Sequence, residues 1–321
     1  MLAVPFQTAA DDYVRGDCDQ DGLVNISDVS SLIDYLLSGQ TAPAAADCNQ
    51  DNSVNIADVT TLIDYLLISF WDDAPDTQTF TVNGVTFTMV TIEGGSFFMG
   101  AHRGDADASD REFPAHRVAV SSFLIGQTEV TQELWVALMG ANPSTWNGRV
   151  PDVDYGTNLQ RPVESVSWND CQTFITKLNA LTGWNFRLPT EAEWEFAARG
   201  GNKSKGYKYA GSSDIDEVAW YALVWGTEYE SYGLGPQSVA TKKANEQGLY
   251  DMSGNVNEWV QDWYGSYGLA PRNNPTGPTT GTHRLCRGGN WHNGAWDCRV
   301  SYRDPLTPTF ASPQIGLRLA L

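Results

Sequence analysis

Oxygen-bearing side chains recur twice near the start of the chain at one spacing: Asp17, Asp19, Asp21, Asn25 and Asp28, then Asp47, Asn49, Asp51, Asn55 and Asp58, thirty residues later. They fill positions 1, 3, 5, 9 and 12 of a loop whose position 7, Leu23 or Ser53, offers its backbone carbonyl. A hard cation with six or seven oxygen ligands needs that arrangement, and Ca2+ is the ion it suits. Position 6 is Gly22 in one loop and Asn52 in the other, residue types that accept the positive φ the turn demands. The alternative is a pair of solvated acidic turns, which leaves the doubled spacing unaccounted for.

Each loop runs into an apolar stripe at helical spacing. In "DCDQDGLVNISDVSSLIDYLL" the stripe is Val29, Leu32, Ile33, Leu36 and Leu37; in "DCNQDNSVNIADVTTLIDYLL" it is Val59, Leu62, Ile63, Leu66 and Leu67. Residues 1–76 hold fourteen Asp against the single basic Arg15, so this quarter carries −13 of the formal −19, and the other 245 residues carry −6. Two calcium ions offset part of that repulsion and let the helices pack. The same acidity disfavours nucleic acid and anionic membrane surfaces as partners, since phosphates are neutralised by Lys and Arg.

At 321 residues, with 41% apolar residues and 12 Trp, the chain is long enough for two domains and a sizeable core. No apolar run reaches the ~20 residues that span a bilayer. The opening "MLAVPFQTAA" has neither the basic start nor the long apolar centre of a secretion signal; an exported protein whose signal has been removed fits this beginning.

After "SFWDDAPDTQ" the pattern changes, which places a domain over residues 1–71, a linker over 72–78 and a second domain over 79–321. "FTVNGVTFTMVTIEGGSFFMG" alternates around Asn83-Gly84 as a hairpin does. Three helices carry capping signals: "TEVTQELWVALMG" with Thr131 and Gly140, "SVSWNDCQTFITKLNALTG" with Ser167 and Asp170, and "RLPTEAEWEFAARGG" with Thr190, Glu193 and Gly200. In the second, Trp168, Cys171, Phe174, Ile175 and Leu178 share one face. Short helices, few strands and long Gly, Asn and Pro stretches predict an irregular α+β domain behind a small all-α one.

Five Cys are too few for a disulfide scaffold and lack the Cys-x2-Cys spacing of a zinc site. Cys18 and Cys48 occupy the same position of each loop and can pair with each other. Cys171 and Cys298 are candidates for packed neighbours or a disulfide, and the connectivity stays open. His102, His116, His283 and His292 lie far apart in sequence, none in helical ligand spacing.

Residues 14–70 resemble a type I dockerin, whose paired loop-helix motifs bind calcium and dock onto a cohesin module or a comparable anchor; loop positions 10 and 11, which help choose the partner, are Ile26-Ser27 and Ile56-Ala57. Further on, "GGSFFMG", "TEVT", "PVESVSWNDC", "RLPTEAEWEFAARGG", "NEQGLYDMSGNVNEWVQDW", "CRGGNW" and "IGLRLAL" occur in the order of the formylglycine-generating enzyme (sulfatase-modifying factor) family. That resemblance covers about residues 79–321 and implies a C-type-lectin-like fold. The fold serves oxidases, sulfoxide synthases and ligand-binding proteins alike, so activity has to be argued from the site.

The family's oxidases resemble one another in holding copper between two Cys five residues apart after the "RGG" turn, soft thiolates being what selects Cu(I). The corresponding positions here are Asn293 and Cys298, one thiol short. The iron-binding His cluster of the sulfoxide synthases has no counterpart. The family's structural calcium turn maps onto Ser253, Gly254, Val256 and Glu258, with Asn257 in place of the usual Trp, while a second family calcium site near Trp220–Leu223 is not recognisable.

The final stretch resembles the variable region of proteins diversified by retroelements, in which Asn codons are randomised at the C-terminus of this fold. The fixed frame is "GGxWxxxAWxCRVSxR...IGxRLAL". Between its members lie His292, Asn293, Gly294, Asp297, Tyr302, Asp304, Pro305, Leu306, Thr307, Phe310, Ser312 and Pro313, reachable from an Asn codon by changing adenines. With Trp296, a frame residue counted also among the ligand contacts, they suit a protein or glycan ligand. The expectation is an exported, non-catalytic binding protein anchored through its dockerin-like module, probing its ligand in an adhesin-like or receptor-like way. The rivals are a copper oxidase with a rearranged site and a structural subunit of a surface assembly.

Overall fold

A computed structural model of the chain describes residues 14–20, 23–68, 76–147, 158–222 and 235–321. Asp21 and Gly22 of the first loop, residues 72–75 of the expected linker, and Leu223 lie outside the described residues. The chain divides into two compact units, Met1–Ala74 and Pro75–Leu321.

In the first unit each acidic loop feeds a helix, α1 (Ile26–Ser38) and α2 (Ile56–Ile68). The loop's own oxygens begin the helix. Asn25 Oδ1 accepts from Ser27 N at 2.9 Å and Asp28 Oδ2 from Asn25 N at 2.8 Å, closing a capping box, and Gly39 ends α1 at φ 66°. Asn55 and Asp58 repeat the arrangement, with Ala57 N to Asn55 Oδ1 at 2.8 Å and Asn55 N to Asp58 Oδ2 at 2.7 Å. Each cap is worth ~1 kcal/mol. Val29, Leu32, Val59 and Leu62 are buried with Cys18, Ala46 and Cys48. The stripe is narrower than the sequence suggests: Ile33, Leu37 and Ile63 face solvent, because two helices alone shield only the sides they turn to each other.

The second unit opens on the hairpin of β1 (Thr77–Val82) and β2 (Val85–Ile92), in register from Thr77↔Val90 to Val82↔Val85. Asn83 and Gly84 make its two-residue turn at φ 49° and 86°, the left-handed pair that matches strand twist. Next come β3 (Gly95–Met99), β4 (His116–Val120), β5 (Phe123–Gly126), α3 (Gln132–Met139), α4 (Trp168–Thr182), α5 (Glu191–Ala198) and α6 (Ile215–Val218). The expected caps are in place: Thr131 on α3, and capping boxes of Ser167 with Asp170 on α4 and Thr190 with Glu193 on α5. Cys171, Phe174, Ile175 and Leu178 of α4 are buried against β1, β2 and α3 in one core, and Trp194, Phe196 and the alanines of α5 pack with β3 and β4 in a second.

The remaining strands are β6 (Asn257–Trp263), β7 (Arg272–Asn273), β8 (Arg284–Arg287), β9 (Asp304–Leu306) and β10 (Ile315–Leu317). Three small sheets result, ordered β1-β2-β5, β3-β4-β7 and β10-β6-β8-β9. In the last, β10 runs parallel to β6 with Ile315 opposite Asn257, and β9 lies on the edge of β8 with Leu306 opposite Arg284. The segment between Arg287 and Ile315 therefore leaves and re-enters one sheet, touching its edge midway through β9. That is the stretch carrying the expected ligand contacts.

Candidate calcium loops and ligand-binding face

Asp17, Asp19 and Asp28 each bring a carboxylate oxygen to within 4.8 Å of the others, the one such cluster of His, Cys, Asp or Glu groups among the described residues. Asp28 is fully buried; its Oδ1 accepts from Asp19 N at 3.1 Å while Oδ2 caps α1. The second loop is curled by its own ligand candidates: Asp47 accepts from Asp51 N at 3.1 Å and Asn52 N at 2.9 Å, Asn49 Oδ1 from Asp51 N at 3.1 Å, and Asp58 Oδ1 from Asn49 N at 3.1 Å. Asp51 Oδ1 accepts from Ser53 N at 2.8 Å. Gln20 and Gln50, both at position 4, share a positive φ of 62° and 59°, so the two loops turn alike. Carboxylates crowded this closely repel unless a cation sits among them, and the donors are all hard oxygens, so these residues fit Ca2+.

The family-derived turn is placed differently. Glu258 is fully buried, and Arg318 donates to both its oxygens at 2.6–3.0 Å while Trp194 Nε1 donates to Oε2 at 2.6 Å. Ser253 Oγ donates to Cys298 O at 2.8 Å, Gly254 N to Gly288 O at 2.8 Å, and Val256 N to Glu129 Oε1 at 3.0 Å. The expectation of a calcium ion held by Ser253, Gly254, Val256 and Glu258 meets a physical obstacle, since the one carboxylate of the set already neutralises a guanidinium.

Beneath the C-terminal stretch, buried arginines pair with buried glutamates. Arg287 is ion-paired with Glu195 and donates to Val300 O at 3.0 Å and Ser301 O at 2.9 Å. Arg299 grips Glu112 with both arms at 2.8 Å, and Arg303 grips Glu191 at 2.5 and 2.8 Å. With Arg318 and Glu258 this makes four pairs whose members are all at most 5% exposed. Losing one partner of such a pair leaves a charge stranded away from water, at ~3–5 kcal/mol. Sequence reasoning missed them; the available signal was "EAEWEFAA", where Glu193 is spent on the helix cap but Glu191 and Glu195, four apart, are left among apolar neighbours.

Most of the expected frame is interior, Trp291, Cys298, Arg299, Val300, Ser301, Arg303 and Arg318 being buried, while its Trp296 is exposed. Of the expected contacts, His292, Trp296, Thr307 and Phe310 are exposed, while Asn293, Tyr302, Asp304, Pro305, Ser312 and Pro313 are half-buried. Three positions differ from a displayed role. Gly294 and Asp297 lie below the surface, and Leu306 packs on the main core because β9 lays it on the sheet. Asp297 is hydrogen-bonded with Tyr302, and burial raises the carboxyls of both Asp297 and Asp304 above the usual range. Burial, with those two acids nearby, also raises the Tyr302 hydroxyl. Trp291 holds this region to the chain end, its Nε1 donating to Pro313 O at 3.1 Å, and its ring meets His292 edge-on at 5.3 Å and Trp146 at 5.4 Å. Trp146, a loop aromatic in "NPSTWNG", was not among the sequence candidates.

At the copper positions, Asn293 Oδ1 is bonded to Asn290 Nδ2, and Asn293 O accepts from Ala222 N at 2.8 Å. Cys298 is fully buried with Tyr209, Val218, Ala219 and Tyr221, and burial pushes its thiol up, away from the thiolate a soft metal needs. A Cβ at Gly289, where φ is 70°, would lie 2.8 Å from the Cys298 sulfur, so only glycine permits this approach. Cys171 packs with Cys286 in another core, which corrects its expected proximity to Cys298.

Residues 74–321 match the sulfatase-modifying factor enzyme 1-like domain, and residues 15–67 match the dockerin type I domain, a calcium-binding module. The chain is 32% identical over 278 residues to the chaperone protein LppX of Paenibacillus barcinonensis, covering 73% of this chain and 89% of that protein. It is 30% identical to the formylglycine-generating enzyme of Streptomyces coelicolor, covering 72% and 88%. The solved structure of Treponema denticola variable protein 1 superposes with a TM-score of 0.65 at 34% identity, over 77% of this chain and 99% of that one. The chain therefore belongs to the sulfatase-modifying factor (formylglycine-generating enzyme) family, with its C-type-lectin-like α+β fold, and carries a dockerin type I domain ahead of it.

Proposed function

We propose that the protein is an exported, non-catalytic ligand-binding protein whose C-terminal stretch recognises a protein or glycan and whose dockerin domain anchors it, through calcium, to a cohesin-like partner. The observation that carries this reading is the contrast within residues 287–318: a buried frame of ion-paired arginines supports exposed side chains such as His292, Trp296 and Phe310, with the half-buried Tyr302 beside them. Cys298, closed off with no second sulfur in its cluster, supports the non-catalytic half. Rigid aromatics give contact area at low entropic cost, and short polar groups adapt to the partner. Similarity to a protein named as variable is consistent with diversification of these positions.

In the dockerin domain, calcium supplies positive charge that lets the acidic loops close. Asp17, Asp19, Asp28 and Asp21, with the carbonyl of Leu23 and the amide of Asn25, would hold one ion. Asp47, Asn49, Asp51, Ser53, Asn55 and Asp58 would hold the other. Ile26 and Ile56, exposed at the start of their helices, are available to the anchor.

The test is retention of the full chain on a printed array of glycans and extracellular proteins, compared with a His292→Ala, Tyr302→Ala, Phe310→Ala variant. Features retained by the wild type and lost by the variant support the reading. Identical retention by both chains, or none by either, contradicts it.

A further inference from the structure

Cys18 and Cys48 are the second residues of the two acidic loops, each directly following the first oxygen ligand. Both are fully buried in the small core between α1 and α2, among Val29, Leu32, Ala46, Val59 and Leu62. The Cys48 thiol donates to Ala45 O at 3.8 Å, the carbonyl that also accepts from the turn carrying Cys18. The backbone holds the two positions together on both sides. Gly16 N donates to Ala45 O at 2.9 Å, and Arg15 Nε donates to Cys48 O at 2.8 Å. The turns carrying the two thiols mirror each other, Cys18 N to Gly16 O and Cys48 N to Ala46 O, both at 3.0 Å.

We infer that Cys18 and Cys48 form a disulfide that clips the two calcium loops together. Two thiols at equivalent positions of a repeat, both fully buried in one small cluster on turns that are hydrogen-bonded to each other, lie where a bridge between neighbouring backbones can form. Two S–H bonds break and one S–S bond forms. The two electrons and two protons pass to a disulfide oxidant such as oxidised glutathione, which leaves as two thiols. Since both sulfurs are shielded in the closed module, the exchange takes place while the loops are open, during folding or after calcium is withdrawn.

The bridge closes a loop that spans the whole of α1, so it restricts the opened module more than the closed one. The consequence is a division of labour: calcium shapes the loops for the anchor, and the bridge keeps α1 against α2 when calcium is scarce. This inference rests on the shared burial of the two thiols and the bonding of their turns, and holds whether or not the C-terminal stretch binds a ligand.

The test uses the full chain, reduced, treated with chelator, incubated in a glutathione redox buffer and returned to calcium. Thiols are then counted by alkylation under denaturing conditions and intact mass. The expected result is three alkylated cysteines, with peptide mapping joining Cys18 to Cys48. In chelator, cleavage within residues 14–68 should be slower by at least ~10-fold for the oxidised chain than for the reduced one. Five alkylated cysteines, or a bond joining Cys171 to Cys286, would overturn the proposal. A Cys18→Ser, Cys48→Ser chain should show the same cleavage rate before and after the oxidant; a difference there would also count against it.

Discussion

Arg303 and Glu191 meet in a two-armed ion pair, Nε to Oε1 at 2.5 Å and Nη2 to Oε2 at 2.8 Å, with both side chains shielded from water. Arg303 sits between Tyr302 and Asp304, two expected ligand contacts, so its pair fixes the backbone from which they project. Arg303→Ala should lower the stability of the second unit by ~3–5 kcal/mol, because Glu191 is left charged and buried. His292→Ala, at an exposed position, should change it by no more than ~0.5 kcal/mol. Denaturant unfolding followed by Trp fluorescence distinguishes the two.

Asp28 and Asp58 each do two jobs, bracing their loop and starting their helix. Asp58→Ala should weaken calcium binding by the full chain and cost ~1 kcal/mol of helix capping even without the ion. Calorimetric titration with calcium, together with far-ultraviolet dichroism in chelator, separates the two losses. Unchanged calcium binding in this variant would remove Asp58 from the ligand set.

Asp262 predicts a pH effect. It lines a cavity of about 220 Å³ with His116, Glu191, Tyr267 and Arg303, and burial, aided by Glu191, pushes its carboxyl up to about 8. An unfolded Asp titrates near ~3.9, so between that value and the folded one the native chain holds a proton the unfolded chain has released. Stability from this group is therefore present at low pH and declines as pH rises through the window that closes at about 8. Asp262→Asn keeps an acceptor for Glu191 N, bonded at 2.9 Å, and abolishes the titration. The advantage of the variant over the wild type should grow by ~1–3 kcal/mol between pH ~4 and pH ~9, measured by thermal unfolding at both.

Much of this arrangement was legible in the residues themselves. The capping pairs Ser167 with Asp170 and Thr190 with Glu193, and the Asn83-Gly84 turn, are local devices whose chemistry is written in a few consecutive positions. The acidic loops were legible for the same reason, since their ligand candidates lie within twelve positions. The pairing of Arg299 with Glu112 was not, because it joins residues 187 positions apart and no local pattern registers such a contact. The packing of Leu306 on the core was hidden likewise: it follows from β9 joining the edge of β8, a long-range pairing decided by the whole sheet. Cys171 pointed to the wrong partner because sequence shows which face of α4 is apolar but not which core that face meets.

The central claim, recognition without chemistry, is tested most directly with copper and a substrate thiol. The full chain carrying Cys18→Ser and Cys48→Ser, which removes the competing thiol pair, is titrated with Cu(I) and then given oxygen and a Cys-containing peptide. Aldehyde formation on the peptide is read by mass. The account predicts no Cu(I) binding that depends on Cys298 and no aldehyde. Stoichiometric copper lost on Cys298→Ser, accompanied by conversion of the peptide, would contradict it.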